Sequence, residues 1–174
     1  MSILSHLITN STELTGLLSF GAATIACLIA ARRSGSRDAR MWKVLALMCC
    51  LFFIEVFLGL RYRIIGFAIN HLKSEGIYAK WHGSNQEIII ASITTIALVF
   101  VTFLLFRSQI AGGAARITAS IIIAVIALFA IETVSLHALD AVFYRPIGPV
   151  LTIGWIWALA AVGICLASIP RSRN

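Results

Sequence analysis

Residues 117–136 read ITASIIIAVIALFAIETVSL, a run whose single charged residue is Glu132. About 20 apolar residues in succession are what a helix needs to cross the hydrocarbon of a bilayer. Four more runs of this kind lie at 14–31, 44–60, 88–106 and 148–169. None alternates polar with apolar, as the strands of a closed barrel would, and a helix satisfies its own backbone amides inside lipid. The expected fold is therefore an all-α integral membrane protein, one transmembrane domain of five helices over residues 1–174, with 61–87 as a long outer loop. Composition agrees: 60% hydrophobic residues, 12% charged residues and a mean hydropathy of +0.96 exclude an ordinary soluble domain.

The carboxylate in the first run has a counterpart. Leu128-Phe129-Ala130-Ile131-Glu132 repeats Leu51-Phe52-Phe53-Ile54-Glu55, and each copy is followed by a second match, Tyr62-Arg63-Ile64-Ile65-Gly66 after the first and Tyr144-Arg145-Pro146-Ile147-Gly148 after the second. Glu, Tyr, Arg and Gly are scarce here, which favours duplication over coincidence among Leu, Ile, Phe and Ala. The expectation is a parallel repeat of two helical hairpins, spans two and three and spans four and five, packed about an axis along the membrane normal. The first span is then an addition on the outside. Its Ala22, Ala26 and Ala30 form a smooth stripe suited to close helix contact.

Basic residues set the orientation, because cytoplasmic loops retain positive charge. Arg32, Arg33, Arg37, Arg40, Lys43, Arg107, Arg116, Arg171 and Arg173 fall on one side of a five-span chain, nine of the fourteen Lys and Arg. Arg61, Arg63, Lys73, Lys80 and Arg145 fall on the other. The N-terminus is expected outside and the C-terminus in the cytoplasm, in a bacterial inner membrane. The net charge of +7 is then mostly an inner rim, and no basic, aromatic-interleaved surface points to nucleic acid. Residues 1–13 contain no Lys or Arg, so the first span reads as retained and not as a secretory signal. Cys27, Cys49, Cys50 and Cys165 all fall inside spans, where a free thiol behaves as a small apolar group.

A charged residue at the centre of a membrane helix costs roughly 2.5 kcal/mol or more, so Glu55 and Glu132 ask for a partner, a cavity or a pathway. Three readings compete. In the first, Glu55, Glu132, Tyr62 and Tyr144 form a buried polar site satisfied within the protein, which is then a structural or accessory membrane subunit in a homo-oligomer or a larger membrane complex. In the second, a titrating Glu55 or Glu132 couples a proton to the movement of another species. The repeat favours this; the lack of proline in mid-span does not, since Pro146, Pro149 and Pro170 all sit at the ends of the fifth span. In the third, a metal ion is held at the outer face by Glu132, His137 and Asp140 with His71, His82 and Glu87 from the loop, a donor set suited to zinc, iron or copper. No Glu-x-x-His pair of a bundle di-iron centre accompanies it.

On one continuous helix Glu132 and Asp140 lie about 80° apart around the axis and His137 about 60° further on, giving a polar arc toward the outer surface. The insertion that carries this arc separates Glu132 from Tyr144 and has no equivalent between Glu55 and Tyr62. A tyrosine of one repeat is expected to reach the carboxyl of the other. Arg61, Arg63 and Arg145 form a positive collar able to hold an anion or a lipid phosphate. Gly112-Gly113 lacks the Lys-Ser of a phosphate loop and reads as a turn. Trp42 and Trp81 read as interfacial anchors, Trp155 and Trp157 as core or lipid contacts.

Overall fold

A computed structural model describes residues 11–60, scattered positions between 63 and 74, and residues 84–106, 112–134 and 137–169; the side chains of residues 37, 84–87, 104–106, 137 and 138 lie outside the description. The elements in chain order are α1 (Ser11–Arg33), α2 (Ser36–Leu58), α3 (Ser84–Phe106), α4 (Gly113–Val134), α5 (His137–Phe143), the strands β1 (Pro146–Ile147) and β2 (Val150–Leu151), and α6 (Thr152–Ser168). The protein is almost wholly helical. Three helices are long and apolar enough to cross a membrane, Ser11–Arg33, Asp38–Leu58 and Gly113–Val134. Large apolar side chains stay exposed on every long helix, among them Leu18, Leu47, Phe100, Ile126 and Leu159. Such surface marks an integral membrane protein, whose outer face meets lipid tails in place of water.

The helices outrun the apolar runs. α2 begins at Ser36 and not at Val44, because residues 36–43 contain no breaker and Asp38 in the first turn complements the positive end of the helix. α4 likewise begins at Gly113, through Ala114, Ala115 and Arg116. The fifth run is shorter as a helix than as a sequence. Pro146–Ile147 pairs antiparallel with Val150–Leu151, Gly148 between them takes a φ of 66°, and α6 starts only at Thr152. Its 17 residues span about 25 Å.

Four helices form the body. α1 packs on α2 and α6, α6 on α4, and α4 on α2, while α3 lies outside against α4. The first helix is thus central and the third peripheral, the reverse of an added first span. Spans two and three do not pack as a hairpin among the described residues, whereas four and five do, so the packing does not reproduce a symmetric pair of hairpins. The buried stripe of α1 also differs from the predicted alanines. Gly16, Ser19, Phe20, Ala23, Cys27 and Ala30 are buried, Ala22 is exposed and Ala26 half-buried. At Gly16 the reason is steric: an added Cβ would lie 2.8 Å from the ring of Trp157 and 3.1 Å from Val56.

The core has two layers. Toward the end carrying Arg32, Arg33, Arg40, Lys43 and Arg116 it is built from small side chains, including Ala23, Cys27, Ala46, Cys49, Ala119 and Ala161, with Trp42 and Ile164. Trp42 is buried there. All four cysteines are free. Toward the opposite end one aromatic from each body helix meets at the centre. Phe20 lies 5.2 Å from Phe52 and 6.2 Å from Trp157, Phe52 stacks on Phe129 at 5.3 Å, and Phe129 stacks on Trp157 at 5.7 Å. Phe52 and Phe129 are the matched positions of the two sequence copies.

Candidate functional site

Glu132 lies in the last turn of α4, three residues beyond Phe129, and is 3% exposed. α4 is described to Val134 and α5 from His137, and residues 135 and 136 lie outside the described residues. The expected polar arc of Glu132, His137 and Asp140 depends on residues 135 and 136 and on the His137 side chain, which lie outside the described residues. The chain beyond α5 returns. Tyr144 follows α5, and its hydroxyl donates to Glu132 Oε1 at 3.2 Å. The phenol thus reaches the carboxyl of its own half, twelve residues back along the chain.

The segment carrying Tyr144 is tied down along its length. The backbone N–H and the hydroxyl of Thr152 both donate to the carbonyl of Arg145, each at 2.9 Å. The indole N–H of the exposed Trp155 donates to the Ile147 carbonyl at 3.1 Å. From α1, the Thr12 hydroxyl accepts the Leu151 N–H at 3.0 Å and the Ser11 hydroxyl donates to the Pro149 carbonyl at 2.5 Å. One polar lattice thus joins the end of α4, the hairpin and the first turns of α1 and α6. Sequence reasoning did not assign Thr12 or Ser11 to it. The available signal was a Ser-Thr-Glu run at the head of an apolar stretch.

Glu55 occupies the matching position in the last turn of α2. It is half-buried, with its Oε2 atom shielded from solvent. Gly59 closes α2 in the left-handed conformation, φ 58°, and its N–H donates to the Glu55 carbonyl at 2.8 Å; this is the glycine cap that commonly ends a helix. Tyr62 and Arg61 lie outside the described residues. Arg63 and His71 are exposed and helical, and His71 stacks on Phe67 with ring centres 6.4 Å apart. Arg145 is exposed, Asp140 half-buried.

His82, and the side chains of Glu87 and His137, also lie outside the described residues. Among the described residues no group of three or more His, Cys, Asp or Glu side chains is placed to hold a metal ion. The chemistry on view is that of a buried carboxyl and a phenol: a hydrogen bond, or a group able to take up and release a proton. Comparison with protein-family models, with curated proteins and with solved structures finds no match to this chain.

Proposed function

We propose that this chain is a five-span structural or accessory subunit of a bacterial inner membrane, with its N-terminus outside and its C-terminus in the cytoplasm, acting as a homo-oligomer or within a larger membrane complex. The observation that carries this reading is the Tyr144–Glu132 hydrogen bond inside a segment anchored to α1 through Ser11 and Thr12. There the carboxyl serves as a joint between helices. The contacts among Phe20, Phe52, Phe129 and Trp157 fill the space between the four body helices, where an aqueous path would otherwise run. The peripheral α3, with Ile96, Leu98, Val99 and Phe100 exposed, leaves a long face for another subunit.

A second reading is favoured by the burial of Glu132. An ionisable group inside a membrane helix commonly serves ion or proton movement, and Glu55 at the matched place supplies a second one. Proteoliposomes carrying an internal pH dye separate the two readings. For a structural subunit, imposed pH gradients decay as in protein-free vesicles, and Glu132→Gln, which retains hydrogen bonding, leaves folding and the growth phenotype of the intact protein unchanged. A proton flux that Glu132→Gln abolishes while the variant folds would overturn the structural reading.

A further inference from the structure

The end of the body that carries the basic residues is not closed. A cavity of about 480 Å³ opens between the last turn of α1, the start of α2, the start of α4 and the end of α6, lined by Arg33, Ser34, Asp38, Trp42, Ile117 and Ser168 among others. It lies where three long apolar helices give way to charged sequence, the level of lipid headgroups. Its two charges are of opposite sign. Among the described residues Arg33 and Asp38 form no ion pair with one another, although both face the same space. Asp38 is held in place: its Oδ1 accepts the Gly112 N–H at 3.2 Å, and a Cβ on residue 112 would lie 2.9 Å from its Oδ2. Glycine at 112 is what lets the carboxylate sit against the start of α4.

From this we infer that the cavity binds the headgroup of an aminophospholipid, with the phosphate on Arg33 and the primary ammonium on Asp38; the Ser34 hydroxyl beside them donates to the Ala30 carbonyl at 2.8 Å. A guanidinium and a carboxylate set apart across a cavity are complementary to a group carrying an anion and a cation together, and each makes a charge-assisted hydrogen bond. A plain anion would meet the repulsion of Asp38. A quaternary ammonium has no N–H to donate to the carboxylate. The apolar part of the lining, with Ile117 and Leu166, suits the glycerol and first methylenes of a lipid.

The test is native mass spectrometry of the full chain released from nanodiscs holding phosphatidylethanolamine, phosphatidylcholine and phosphatidylglycerol in equal parts. The ethanolamine lipid is retained in preference to the other two. Arg33→Gln lowers its retention about fivefold, the effect of one basic residue at a membrane surface, and Arg33→Lys, which keeps the charge, restores most of it. Asp38→Asn keeps the acceptor for Gly112 and shifts the preference from ethanolamine to glycerol headgroups. Equal retention of the three lipids, or retention unchanged in both Arg33→Gln and Asp38→Asn, would overturn the assignment. So would soluble glycerophosphoethanolamine binding as tightly as the lipid, because the site would then belong to a soluble ester.

Discussion

Two glycines on one helix allow the close packing of α1 to be measured. A Cβ at Gly16 would meet Trp157 Cε3 at 2.8 Å, Trp157 Cζ3 at 2.9 Å and Val56 Cγ1 at 3.1 Å, whereas a Cβ at Gly21 would meet only the ring of Phe53, at 3.7 Å. Carbon atoms attract best at about 3.5–4.0 Å, so the methyl group added by Gly16→Ala falls roughly 0.7 Å inside that distance and the one added by Gly21→Ala within it. The Trp157 ring is itself fixed by Phe20 and Phe129 and has little room to yield. Overfilling a packed site costs about 1–3 kcal/mol. The gain in helix preference from Gly to Ala, about 0.5–1 kcal/mol, is common to both substitutions and cancels in the comparison. Gly16→Ala is therefore expected to be less stable than Gly21→Ala by about 1–3 kcal/mol. Reversible unfolding in mixed micelles, followed by helical circular dichroism, measures this difference. Equal stability of the two variants, or greater stability of Gly16→Ala, would show that α1 and α6 do not approach as described.

Tyr144→Phe removes one donor from Glu132 and should lower stability in the same assay by about 0.5–1.5 kcal/mol, with no further loss when Glu132→Gln is combined with it; full additivity of the two would mean that they do not interact. Trp157→Ala should cost about 3–5 kcal/mol, while Trp155→Ala, at an exposed position, should cost far less; comparable losses would refute the aromatic centre. A reporter fused after residue 110 should be active in the cytoplasm, and periplasmic activity there would invert the proposed orientation.

The helical membrane class was legible because hydrocarbon imposes one demand on the whole chain, and runs such as 117–136 meet it without ambiguity. Helix ends were less legible. They depend on local chemistry that hydropathy ignores, such as the unbroken polar stretch from Ser36 to Lys43 and the Gly148–Pro149 turn that delays α6 to Thr152. Neighbours were the least legible. In lipid, helices associate through close packing and not through exclusion of apolar surface, so the order of helices hangs on a few small residues. Gly16, Ala23 and Cys27 place α1 at the centre, and nothing in their spacing distinguishes them from Ala22 and Ala26 until the partners are known. The pairing of Glu132 with Tyr144 was legible as two residues and not as a bond, because twelve residues apart on one straight helix they could not touch and the bond depends on how the chain returns.

The matched sequence copies can now be interpreted physically. Among the described residues the two copies do not pack as equal halves: α3 lies outside against α4, α1 is central, and α4 packs on α6 whereas α2 does not pack on α3 in the same way. Yet their phenylalanines, Phe52 and Phe129, stack on each other, and α2 and α4 each place a glutamate one turn beyond that contact. The shared motif is thus a contact motif before it is a polar one: a large ring to fill the gap between two helices, then a glutamate one turn further along each. At Glu55 the end is made by Gly59 in the left-handed conformation. At Glu132 a phenol returns to the carboxyl, and the chain beyond that phenol is tied to Ser11 and Thr12. Two stretches alike at four of five positions thus serve two different surroundings, and the returning, anchored chain beside Glu132 makes it the more buried member of the pair.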